Sequence, residues 1–261
     1  MTSLTDRTIA ALRTEHDQLA ALVPTLTDDQ LAQLSGAAAW PVSQVLSHIG
    51  SAGELALAGL ETALGGPAVP PDHNQSVWDR WNAMSPREQA VAFLVQDART
   101  HAAFEALTSE QRESLELDLG FLPAPVSVAT YAGMRLNETA QHGWDVRVAF
   151  DPDATVNADS GAVLVEHLAG GLGFMLGFVG KAAEAPEHAV LDLAGSGYSL
   201  VIDDSVTIAA SVGQPTATFN GPAEAVIRLI GGRLKPEHAN PDITVTGNLT
   251  LDDLRGVFPG Y

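Results

Sequence analysis

The sequence predicts an α + α/β protein: a bundle of four main helices over residues 1–150, then a small α/β domain over residues 151–261. Three observations carry this. Long stretches with helical apolar spacing dominate the first 150 residues. Asp151-Pro152-Asp153 then interrupts the pattern with turn-forming residues. Beyond it, short runs rich in β-branched residues alternate with glycine and serine, as strands and turns do.

Residues 3–23 read as a first helix. Thr25 to Ser35 is a polar connector holding a short helical piece, Asp28 to Leu34. Trp40-Pro41 opens a second long helix that reaches Leu64, with proline suited to its first turn. Gly65-Gly66-Pro67 and Pro70-Pro71 end it, and a loop containing Trp78 and Trp81 follows. Ser85-Pro86-Arg87-Glu88 opens a third helix running to about Leu107; serine as N-cap, proline at N1 and glutamate at N3 form a capping box. Leu115 to Leu119 alternates apolar and acidic residues and reads as a short strand. Pro123 and Pro125 separate it from a fourth long helix, Val126 to Phe150. Past the boundary, Ala158 to Gly180 reads as one more helix, weakened by Gly170, Gly171 and Gly173. Strand-like runs begin at Ala189, Tyr198 and Ser205. Gly221-Pro222-Ala223-Glu224 opens a helix ending near Gly231-Gly232, Ile243 starts a last strand, and Leu251 to Val257 is a last short helix. No internal repeat or low-complexity segment interrupts this order.

A chain of 261 residues with 46% hydrophobic content can bury a full core. Its formal charge is −19, spread evenly: 8 basic against 18 acidic residues in 1–150, and 5 against 14 beyond. Such a field repels nucleic acid and anionic membranes, so neither is expected as a partner. No run of 18 apolar residues indicates a spanning helix, and the N-terminus lacks a basic segment followed by an apolar one. A cytoplasmic location is expected. There is no cysteine, which excludes disulfides, thiolate ligands and a protein thiol nucleophile. Any sulfur chemistry must draw its sulfur from a small molecule.

Glu138-Thr-Ala-Gln-His142 lies in the fourth long helix. A spacing of four places both side chains on one face, one turn apart. His48 lies in the second helix, on the otherwise apolar stripe Val45, His48, Ala52, Leu55. If the two helices are neighbours, two imidazoles and one carboxylate can converge on one metal ion and leave a coordination position open, as catalytic zinc sites do. Each residue also has a plainer reading. A core histidine can simply bond a carbonyl, since an unpaired buried polar group costs roughly 1–3 kcal/mol. Ala132, Leu136, Thr139, Val146 and Phe150 mark the apolar face of the fourth helix, with His142 at its margin and Glu138 further round. Glu138 and His142 can thus be an ordinary surface pair, and Arg135 can pair with Glu138. Asp145, three residues past His142, can orient that imidazole, but a solvated carboxylate or a cap-like contact is the favoured reading. Trp78, Trp81 and Trp144 can line a cleft, although core packing is the expected role for at least two of them.

The motif Trp40-Pro-Val-Ser-Gln-Val-Leu-Ser-His48-Ile resembles the Trp-x-x-x-x-x-Leu-x-His-Leu helix of DinB-like metalloenzymes, specifically their mycothiol-dependent maleylpyruvate isomerase branch. Glu138-Thr-Ala-Gln-His142-Gly-Trp-Asp145 resembles that branch's Glu-x-x-x-His-Gly-Trp-Asp helix. Phe219-Asn-Gly-Pro-Ala-Glu, Ile230-Gly-Gly-Arg233, Val245-Thr-Gly-Asn-Leu and the ending Phe258-Pro-Gly are similar to its second, sterol-carrier-like domain. The resemblance spans nearly the whole chain. It implies a divalent metal, usually zinc, held by His48, Glu138 and His142, and mycothiol as thiol cosubstrate bound near the metal between the domains. It also implies a catalytic arginine from the second domain, which Arg233 matches by motif; the plainer reading of Arg233 is a surface arginine closing a helix C-terminus.

The expected chemistry is attack of an activated thiolate on an electrophilic small molecule, either as S-transfer or as cis–trans isomerisation. The acidic surface does not repel mycothiol, whose sugar end is uncharged, but offers few cations to a dianion such as maleylpyruvate. Two alternatives stand beside this reading: a hydrolase that activates water on the same ligands, and a non-catalytic small-molecule-binding protein of the same fold.

Overall fold

The computed structural model describes residues 2–211 and 213–260. The chain divides into two compact units, one running through Asp151 and the other starting at Pro152. Among the described residues there are eleven α-helices, one five-stranded sheet and one two-stranded sheet.

The first unit contains α1 (Leu4–Leu22), α2 (Asp28–Ala32), α3 (Val42–Ala63), α4 (His73–Asn82), α5 (Pro86–Glu105), α6 (Ser109–Ser114) and α7 (Val128–Val148). Side-chain caps set most of the helix starts. Ser3 accepts from the Asp6 amide and Ser127 from the Thr130 amide, while Thr27/Gln30, Ser85/Glu88 and Thr108/Gln111 form full capping boxes. Two of these elements differ from the sequence expectation. Trp78 and Trp81 lie on helix α4 rather than in a loop. Only Val77 and Trp81 of that helix are buried, a single pair four residues apart in an otherwise polar stretch, too short a stripe to mark a helix. Helix α6 was not expected at all, although Thr108-x-x-Gln111 is a capping box in plain view. The strand expected at Leu115 to Leu119 shrinks to β1 (Glu116–Leu117), paired antiparallel with β2 (Val126–Ser127).

The four long helices pack as a ring: α1 lies beside α5 and α7, and α3 lies beside the same two. Helix α7 runs antiparallel to both of its neighbours. Against α1 it sets Gly143 near Leu19 and Arg147 near Glu15; against α3 it bonds Tyr131 to the Ala56 carbonyl and brings Glu138 to His48. This helix is buried nearly all round, including Arg135, Asn137, Gln141, His142 and Asp145. That departs from the single apolar face read from the sequence. The reason is position: α7 is covered on two flanks, so its polar side chains must find partners inside. An apolar cluster that includes Leu19, Val42, Leu46, Ile49, Phe93 and Val146 fills the interior at the Trp81 end.

The second unit holds α8 (Ala158–Leu168), α9 (Leu176–Val179), β3 (Ala189–Leu193), β4 (Tyr198–Ile202), β5 (Val206–Ala210), β6 (Ala217–Asn220), α10 (Ala223–Ile230), β7 (Thr244–Gly247) and α11 (Leu251–Val257). The sheet order is β5-β4-β3-β6-β7, antiparallel throughout except for the parallel pair β3–β6. The single helix expected over Ala158 to Gly180 is in fact broken after Leu168, bending by 85° where the glycines cluster. Helix α10 packs on α8 and carries a buried bidentate ion pair, Arg228 Nε to Glu224 Oε2 at 2.8 Å and Nη2 to Oε1 at 3.0 Å. Gly232 follows α10 with φ 70°, and a Cβ there would lie 2.3 Å from the Cα of Gly260. Gly232 therefore lies too close to the Pro259-Gly260 backbone to carry a side chain. Among the described residues no single helix is long and apolar enough to cross a membrane.

Candidate metal centre

His48 sits in the second turn of α3, and Glu138 and His142 lie one turn apart in the second half of α7. The antiparallel packing of these helices brings the three side chains together. His48 Nε2 lies 3.0 Å from Glu138 Oε2, and His142 Nε2 lies 3.7 Å from the same oxygen. One ligand atom from each residue lies within 4.8 Å of the other two. Tetrahedral coordination with bonds of about 2.0–2.1 Å separates donors by roughly 3.3 Å, so the observed spacings fit one small cation with little adjustment. The site is open on one side: the His48 and Glu138 side chains are about one-third exposed, whereas that of His142 is 9% exposed.

The surroundings tune the donors. Asp145 is fully buried, and its Oδ2 lies 2.8 Å from His142 Nδ1. This corrects the favoured expectation of a solvated carboxylate. A neutral His142 that donates Nδ1–H to Asp145 would present its lone pair on Nε2, the atom that faces Glu138. Burial works to raise the Glu138 carboxyl, but the His48 hydrogen bond and the charges of His142, His48 and Arg135 outweigh it and hold the group at about 2. Glu138 is therefore ionised at neutral pH.

Arg135 does not pair with Glu138. Its Nη2 donates to Asp97 Oδ1 at 2.9 Å, and Asp97 Oδ2 lies 2.8 Å from His16 Nδ1. This buried chain joins α7, α5 and α1 one turn below the site. Burial pushes the Asp97 carboxyl up, yet His16 and Arg135 hold it below the ordinary range. The hydrogen bond to Asp97 raises His16 against the opposing effect of burial. Trp81 and Trp144 are core residues and Trp78 is half-exposed. Sequence reasoning gave no role to Asp97, which no motif marks, or to Trp40, whose place in the His48 motif was the available signal. The Trp40 ring faces both imidazoles of the site.

Arg233 belongs to the second unit, just past α10. It is buried rather than on the surface, and its Nη1 donates to the Gly231 carbonyl at 3.0 Å.

A ring of long helices that gathers two imidazoles and a carboxylate inside it defines the first unit as a candidate mononuclear metal-binding bundle. Residues 12–147 match the family described as the mycothiol maleylpyruvate isomerase N-terminal domain, and the chain belongs to that family. Two solved structures share the fold, each match covering 100% of both chains. One is the crystal structure of the mycothiol-dependent maleylpyruvate isomerase, at TM-score 0.63 and 17% identity; the other is a histidine-to-alanine mutant of that enzyme, at TM-score 0.64 and 16% identity. No curated protein sequence matches the chain.

Proposed function

We propose that the protein is a divalent-metal enzyme that uses mycothiol as cosubstrate and joins its sulfur, transiently or permanently, to an electrophilic small molecule. The observation that carries this reading is the convergence of His48, Glu138 and His142 in a member of this family. In it, residues 1–150 are a DinB-like four-helix bundle and residues 151–261 a sterol-carrier-like α/β domain. His48, Glu138 and His142 hold the ion, and their N/O donor set suits zinc. Bound there, the metal supplies Lewis acidity that lowers the pKa of a thiol brought to it. The reading places the enzyme in the cytoplasm, where low-molecular-weight thiols are kept reduced.

The chain's own residues do the rest. Asp145 holds the His142 ring in one orientation and one tautomer. Glu138 stays ionised and offers a full negative charge to the cation. Arg233 stabilises negative charge that develops on the electrophile as sulfur adds. With a conjugated cis alkene, addition followed by rotation and loss of the thiolate gives the trans isomer; with a leaving group present, the same attack is an S-transfer. Metal analysis of the purified protein, followed by mycothiol-consumption assays over a panel of electrophiles, tests the reading. Protein that neither retains a divalent metal nor turns over any electrophile with mycothiol would sink it.

A further inference from the structure

Ala39 has φ 58°, the one non-glycine residue with positive φ among those described. Any side chain with a Cβ is disfavoured there, and such strain persists only when its surroundings hold it in place. The surroundings here are a closed loop between α2 and α3. Leu34 and Pro41 form an antiparallel bridge, and the Val42 amide donates to the Gln33 carbonyl at 3.0 Å. The Trp40 carbonyl accepts from both the amide of Ser35 (3.0 Å) and its hydroxyl (2.8 Å). The Trp40 amide donates to the Ala38 carbonyl at 2.7 Å.

The loop is also fixed to α7. The Gly36 amide donates to the Asp145 carbonyl at 2.8 Å, and Gln33 Nε2 donates to the Ala149 carbonyl at 2.9 Å. A Cβ on Gly36 would come within 2.6 Å of Val148 and 3.0 Å of Trp144, so only glycine lets the loop approach this closely. What the loop delivers is the Trp40 indole. Its centroid lies 5.3 Å from the His48 ring, tilted by 55°, and 6.1 Å from the His142 ring, near-parallel at 21°. The two imidazoles stand 4.7 Å apart at 73° to one another. One aromatic side chain therefore touches both histidines of the site, and the strained residue is its immediate neighbour.

We infer that Trp40 is a positioning residue for the metal centre: its indole, held by the loop over 33–42, fixes the mutual angle of the His48 and His142 imidazoles. The inference rests on the metal-binding reading of this site. A histidine turned by a few tens of degrees aims its lone pair away from the ion, so a rigid aromatic against both rings preorganises two of three ligands. The indole face also suits rings that acquire positive character when their nitrogens bind a cation. The Trp40 ring also packs against the apolar cluster of the bundle, but unlike the fully buried Trp81 and Trp144 it stays partly exposed and lies beside both imidazoles of the site.

The test uses full-length, metal-stripped protein titrated with cobalt(II), read by its visible ligand-field spectrum, with zinc(II) competition for affinity. Trp40→Leu is expected to bind about 10–100-fold more weakly with a changed cobalt spectrum, Trp40→Phe to stay within roughly threefold, and Ser35→Ala to lose affinity severalfold with the same spectral change. Ser35→Ala keeps the indole and loosens only its tether, so it decides the matter if Trp40→Leu does not fold. Wild-type affinity and spectrum in Trp40→Leu, or in Ser35→Ala in that event, would overturn the positioning role while leaving the metal site intact. Failure of the wild type itself to take up either ion would overturn the metal reading and this role with it.

Discussion

At the scale of single residues, the site separates into atoms that hold an ion and atoms that hold those atoms. His142→Ala and Glu138→Gln are expected to abolish metal retention, measured by elemental analysis after gel filtration. Asp145→Asn is expected to keep the fold and weaken metal affinity by about 10–100-fold, because the amide no longer fixes the imidazole as a carboxylate does. Arg233→Ala should retain metal and lose turnover; full activity would show that the wrong arginine has been assigned. The three convergent residues were legible because helical spacing joins Glu138 to His142 and a motif joins His48 to them. Asp145 was misjudged for a physical reason. Its spacing was visible, but a carboxylate three residues past a histidine is solvated on an outer helix and buried on an inner one. Nothing in the local sequence says which helix is inner.

At the scale of elements, α7 is where sequence and structure part most. Its composition suggested an amphipathic helix with a wet face, yet its polar residues turn inward. The Arg135–Asp97–His16 chain is the clearest case, with Arg135 and Asp97 side chains 4% and 6% exposed. Asp97→Asn should cost about 3–5 kcal/mol of stability, since it strands a buried guanidinium; urea unfolding followed by circular dichroism measures it. The pH dependence has a definite sign. Asp97 is held below its ordinary range, so its contribution is present above about pH 3.9 and fades as pH falls through the folded value. His16 is raised, so its contribution is full below about pH 6.5 and is lost as pH rises through the folded value. The stability gap between wild type and His16→Asn should accordingly be wider at pH 5.5 than at pH 8.5; a gap that ignores pH would refute this account. The long helices α1, α3 and α7 were readable from their apolar runs and starts, and α5 chiefly from its Ser85/Glu88 capping box. Helices α4 and α6 were not, because neither buries a stripe broad enough to repeat.

At the scale of the whole molecule, the proposed thiol chemistry in a chain with no cysteine must draw its sulfur from a small molecule, and a charge of −19 is expected to disfavour anionic carriers. Activity is expected to require an added low-molecular-weight thiol, with mycothiol well ahead of the anionic tripeptide glutathione. Salt should narrow the gap, because the field is screened over about 8–10 Å at physiological ionic strength. Undiminished turnover in rigorously thiol-free buffer would point instead to a hydrolase. The position of α7 has one more consequence, set by the order of synthesis. The helix that completes the first unit's core and supplies two of the three convergent residues is the last long helix of that unit to leave the ribosome. At roughly 5–20 residues per second, several seconds separate the end of α3 from the start of α7. For that interval the nascent chain shows the faces of α1 and α3 that α7 will cover, and His48 waits without its partners. A ribosome stalled short of Val128 would therefore leave the side chains of α1 and α3 that α7 covers facing water.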